Sequence, residues 1–105
     1  MLVSTSDYIP GVNYQIIGLV QGNIAYSKHI GRDVMAGFKN LAGGEIKSYT
    51  DMVSEARSMA EQRMIEHAAQ LGADGIVGVR LTTTAVTEGT IEVVAYGTAV
   101  KIPSA

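Results

Sequence analysis

The sequence predicts a single α+β domain whose sheet is apolar on both faces. Three observations carry that reading. Apolar residues at helical spacing form a stripe: Val53, Ala56, Met59, Ala60, Met64, Ala68 and Leu71. Two β-rich runs, 76–86 and 90–102, flank the short turn Thr87-Glu88-Gly89, the pattern of a β-hairpin. In these runs and in an earlier one, apolar side chains fall on both sides of the strand instead of alternating with polar ones.

Size and composition set the outer bounds. The 105 residues suit one domain spanning 1–105. Apolar residues make up 47% and charged residues 17%, the reverse of a disordered chain. So little charge on a small body implies that part of the surface is covered by a partner. The net charge is −2, and no two Lys or Arg residues are adjacent, which disfavours nucleic acid and anionic membranes as partners. There is no Cys, so disulfides, thiolate metal sites and Cys nucleophiles are excluded. The first eleven residues lack the basic and apolar regions of a signal peptide. No apolar stretch approaches the ~18 residues of a membrane helix. A cytoplasmic protein is expected.

The elements follow in order. Leu2 to Thr5 suits a short strand, and Pro10-Gly11 marks a turn. Tyr14 to Tyr26 reads as a long strand, with Ile16, Val20, Ile24 and Tyr26 on one face and Ile17, Leu19 and Ala25 on the other. Ile30 to Ala42 reads as a short helix with Ile30, Val34, Phe38 and Leu41 on one stripe, ended by Gly43-Gly44. The main helix is predicted from Thr50, an N-cap, to Leu71, with Gly72 as its stop.

In the hairpin, Val77, Val79 and Leu81 should share one face and Ile76 and Gly78 the other. Ile91, Val93, Ala95, Gly97 and Ala99 should oppose Val94, Tyr96, Val100 and Ile102. Small residues on the helix stripe, with Gly78 and Gly97, predict close helix–sheet approach. Two helices can cover only one face of this sheet. Leaving the other in water forfeits about 25 cal/mol per Å², so a second copy of the chain is the simplest cover.

Several strings of the sequence together resemble the YbjQ-like family, small bacterial proteins that carry a heavy-metal-binding label. They are Gly18-Leu19-Val20-Gln21-Gly22-Asn23, Ile30-Gly31-Arg32-Asp33, Ala36-Gly37, Gly43-Gly44-Glu45 with Tyr49, and Ser54-Glu55-Ala56-Arg57. Leu71-Gly72-Ala73-Asp74-Gly75-Ile76-Val77-Gly78-Val79-Arg80 and Tyr96-Gly97-Thr98-Ala99-Val100 complete the set, which covers nearly the whole chain. The resemblance implies a two-layer α/β subunit like that of the dodecins, with an antiparallel sheet and one long plus one short helix. It also implies assembly into a homo-oligomeric ring, a pentamer. Some family members carry an aromatic residue before the Arg-Asp pair, where this chain has Gly31.

Candidate site residues are few. For metal the soft donors are His29, His67 and five Met. The two histidines are far apart in sequence and have no ligand-spaced partner. Met52, Met59 and Met64 fall on or beside the core stripe, where Met fills gaps. A metal ion would need a ring that repeats His29 around its axis. Arg32-Asp33 reads either as an anion-binding Arg near a helix start or as an ion pair or cap fixing that start. Arg80 sits inside an apolar strand and must be paired; an intersubunit salt bridge with Glu45 or Glu92 is the expectation.

Residues 72–75 match neither phosphate-loop pattern, and no catalytic set is visible. No enzyme activity and no established cofactor are therefore expected. The leading reading is a non-enzymatic structural or binding ring. A heavy-metal-binding protein and a small-molecule binder at subunit clefts, by fold analogy with flavin-binding dodecins, are the alternatives.

Overall fold

The computed structural model describes residues 1–27, 42–87 and 89–103. Among them are four strands and one helix: β1 (Leu2–Val3), β2 (Gln15–Ser27), α1 (Ala42–Gln70), β3 (Gly75–Thr87) and β4 (Thr90–Lys101). The strands form one sheet in the order β1-β3-β4-β2. The β3–β4 hairpin and the β2–β4 pair are antiparallel, as expected. β1 is different: it runs parallel to β3, with Leu2 beside Gly75 and Val3 beside Ile76. The sheet is thus mixed. The segment after β1 continues along β3, with Gly78 N–H donating to Ser6 O at 2.7 Å and Val79 N–H to Ser4 O at 3.0 Å.

The helix is longer than the sequence suggests. It begins at Ala42, so Gly43-Gly44 lies inside it and Thr50 is an interior residue instead of an N-cap. A glycine pair lowers helix propensity without forbidding the conformation. The predicted short helix over 30–42 falls, except for Ala42, outside the described residues. The C-terminal stop is where the sequence places it. Gly72 adopts φ +77°, Gly72 N–H bonds Ala69 O at 3.0 Å and Ala73 N–H bonds Ala68 O at 3.0 Å, a Schellman cap.

One face of the sheet packs on α1. Met52, Ala56, Ala60, Met64 and Ala68, four apart in each case, bury against Val20, Ile24, Ile76, Val79, Ile91, Val93, Ala95 and Ala99. Met59 and Leu71, placed on the same stripe by sequence, are exposed at its margins. The close approach lies at neither Gly78 nor Gly97. A Cβ on Gly97 would meet Ile76 and Val79 methyls within the sheet layer, whereas a Cβ on Gly22 would collide with the backbone of Ala60, Arg63 and Met64. Strand β2 therefore touches the helix backbone itself at Gly22.

Two bulges overturn the predicted face assignments. Ile16 pairs with Val100 and Gly18 with Ala99, so Ile17 is an extra residue and Ile16 turns away from Val20. Ile16 ends on the face opposite the helix, 71% exposed. In β3, Val77 pairs with Thr98 but Arg80 with Tyr96. Gly78, at φ +62°, absorbs the extra residue. The slip puts Val79 on the helix face with Ile76, and leaves Val77 on the other side.

The chain is long and thin, with extents of 59 × 22 × 17 Å and a radius of gyration of 17.4 Å. A compact chain of this length would have a radius near 13 Å by the usual scaling, about 2.2·N^0.38 Å. The sequence is therefore stretched along its strands and helix, and little of β3 beyond the bulge is covered.

Candidate functional site

The face opposite α1 is built in rows that run across three strands. Val77, Thr98 and Leu19 form one row; Arg80, Tyr96 and Gln21 the next; Thr82, Val94 and Asn23 a third; Thr84, Glu92 and Ala25 a fourth. Leu19 is 66% exposed and Tyr96 37%. This surface mixes apolar side chains with Thr, Gln and Asn. It offers area to another surface, and among the described residues no group of three or more His, Asp or Glu converges on it.

Arg80 lies at the outer margin of that face, half exposed. Its guanidinium stands 3.6 Å from Asp7 Oδ1 and donates to the carbonyl oxygens of Thr5 and Val79, each at 2.9 Å. Within the chain its partner is thus Asp7, which sequence reasoning did not consider. Glu92 belongs to a row four residues along β4 from Tyr96, about 13 Å away at 3.3 Å per residue. Glu45 lies in the first turn of α1, its side chain outside the described set. An exposed pair of this kind contributes little stability; its hydrogen bonds hold the segment after β1 against the Gly78 bulge.

The outer edge of β2 carries the second group of polar contacts. Gln21 N–H donates to His67 Nδ1 at 3.3 Å, and Arg63 Nη1 donates to Asn23 O at 2.7 Å. His67 and Arg63 are one helical turn apart, so both reach over the same edge. That spacing was readable in the sequence, but the strand groups it serves were not. His67 thus accepts a backbone hydrogen bond. Further along, Tyr26 Oη donates to Glu55 Oε2 at 3.1 Å, and the carboxylate raises the phenol pKa above its ordinary value through that bond and its charge.

His29, Arg32 and Asp33 lie outside the described residues. Among the described residues, no group of three or more His, Cys, Asp or Glu is placed to hold a metal ion. None of their helices is long and apolar enough to cross a membrane.

Comparison with known proteins gives the chain its relatives. Residues 1–103 match the YbjQ family, described as "Putative heavy-metal-binding". A UPF0145 protein of Vibrio campbellii is 54% identical over 103 residues, covering 97% of this chain and 99% of its own. One from Thermosipho melanesiensis is 55% identical, covering 97% and 95%. Among solved structures, a protein of unknown function of the DUF74 family from Pediococcus pentosaceus superposes with a TM-score of 0.65 at 20% identity, covering 98% of each chain. At that identity the likeness concerns the fold alone, and the fold it shares is the helix-on-sheet layer described above. The family match and these relatives show that this chain belongs to the YbjQ family of UPF0145 proteins.

Proposed function

We propose that the protein is a non-enzymatic building block of a homo-oligomeric ring, a pentamer, in the cytoplasm, with a structural or binding role. One observation carries this reading: from Leu81 to Ala85, β3 is exposed on both faces. There β3 is the outer strand of a three-stranded stretch, and an uncovered edge strand invites pairing with another chain. The exposed Leu19 and Tyr96 on the open face and the elongated shape support the same reading. Sedimentation velocity with native mass spectrometry tests it. Assembly at micromolar protomer is expected; a monomer of about 11.1 kDa refutes it.

Metal binding is the second reading, favoured by the description of the family. A closed site needs about four ligands in tetrahedral or higher geometry. No such set converges among the described residues, so on this reading a ring that repeats His29 or a carboxylate assembles the site. Metal that stays with the untreated protein during native mass spectrometry would favour it. Subunit clefts that hold a small organic molecule form a third reading, which a coloured preparation would favour.

A further inference from the structure

We infer that the subunits join edge to edge: the outer edge of β3 at Leu81–Ala85 pairs with the outer edge of β2 at Gln15–Leu19 in a second copy of this chain. The inference rests on the ring reading above and says which surfaces form its seam.

The backbone directions follow from the ladder. Gln21 points its N–H outward to His67. Outward and inward residues alternate in an antiparallel pair, so Gly22 and Ala95 bond to each other across β2 and β4. Ala95 is also paired with Leu81, which therefore turns its N–H and C=O away from β4. The same holds for Thr83 and Ala85. On β2, Leu19 points outward like Gln21.

The two edges are open in complementary places. Beside β3, β1 and residues 4–6 occupy the outer side only as far as Arg80. From Leu81 to Ala85 every residue is exposed, and no described strand lies outside it. On β2, Arg63 and His67 sit across the edge at Asn23 and Gln21, which leaves the Gln15–Leu19 end open. The open stretches thus lie on opposite sides of the sheet and toward opposite ends. A copy docked head to tail, with a stagger along the strands, offers each stretch the one it lacks. A repeated stagger of this kind closes into a ring when the rotation matches.

The chemistry of the edges supports pairing over exposure to water. Proteins shield bare edges with Lys, other charges or Pro. Leu81-Thr82-Thr83-Thr84-Ala85 and Gln15-Ile16-Ile17-Gly18-Leu19 contain neither. The bulge at Ile17 shortens the usable part of β2, so Leu19 and its immediate neighbours form the centre of the seam.

The test begins with Thr83→Pro, which removes one outward N–H and no bond to β4. It should convert the assembly to monomer in sedimentation while far-UV circular dichroism stays as in wild type; Thr83→Ala, which keeps the N–H, should still assemble. Because Pro could also disturb the hairpin, crosslinking gives an independent measure. The protein has no Cys, so Leu19→Cys/Thr82→Cys, with both side chains on the open face, should give a ladder of covalent oligomers with a short bismaleimide. Each single variant should give none. A wild-type monomer would overturn the ring reading itself. An intact oligomer that tolerates Thr83→Pro and yields no ladder overturns the seam alone, and a dimer from Thr82→Cys by itself replaces it with a two-fold β3–β3 contact.

Discussion

Replacing Gly22 with Ala should separate the helix from the sheet by a measurable amount. A Cβ at this position would sit well inside contact distance of Ala60 O and Met64 N, and 2.8 Å from Arg63 C. All three are helix backbone atoms, which cannot rotate aside as a side chain can. Relief requires α1 to lift from β2, loosening Met64, Val20 and Ile24, which are buried together. Overpacked cores lose about 1–3 kcal/mol, and the rigid neighbours put this case at the upper end, about 3 kcal/mol.

A domain of this size melts about 4–8 °C lower per kcal/mol, so Tm should fall by roughly 12–24 °C. Gly97→Ala is the comparison. Its new Cβ would meet Ile76 Cγ2 at 2.7 Å, Val77 O at 3.0 Å and Val79 Cγ2 at 3.1 Å. Two of those are side-chain methyls carried on Cβ, which can give a little where helix backbone cannot, so a smaller loss within the same range of about 1–3 kcal/mol is expected. The assay is thermal melting by circular dichroism at one protomer concentration, because assembly makes Tm depend on concentration. If Gly22→Ala melts within a few degrees of wild type, or above Gly97→Ala, the helix does not rest on the strand backbone.

Three further outcomes are expected. Ala60→Asp buries an unpaired charge in the helix–sheet seam, where Ala60 is fully buried, and should prevent folding; wild-type ellipticity and elution would refute the placement of the stripe. Tyr26 should titrate above 10.0 and Glu55→Gln should bring it down, read from phenolate absorbance against Tyr26→Phe. Because the folded pKa is raised, the stability this contact contributes is fully present below pH 10 and is lost as pH rises through the raised value; an unchanged titration in Glu55→Gln would rule the contact out in solution. Metal should bind weakly and not support folding, so a chelator should leave the melt unchanged, and calorimetric titration with zinc, copper or nickel should give no submicromolar site; such a site lost in His29→Ala would promote the metal reading.

Sequence patterning was sufficient for the identity of the main elements and of the helix face. Met64, Ala60, Ala56 and Ala68 recur at helical spacing and are buried together, because a 3.6-residue period leaves few choices of which side faces a sheet. The helix stop at Gly72 and the β3–β4 hairpin were legible for a similar reason: each depends on local backbone chemistry. The family was legible too, since its strings extend along most of the chain.

What the sequence could not determine is register and reach. Strand faces were read by strict alternation, and one extra residue at Ile17 and one at Gly78 reverse it for Ile16 and Val79. A bulge is decided by what the partner strand and the neighbouring segment offer, here Ser4 and Ser6 beside β3, and those contacts lie some seventy residues apart in sequence. The partner of Arg80 and the groups capped by Arg63 and His67 are hidden for the same reason. So is the role of Gly22, which marks where two backbones meet, a fact that belongs to the packed pair and to neither element alone.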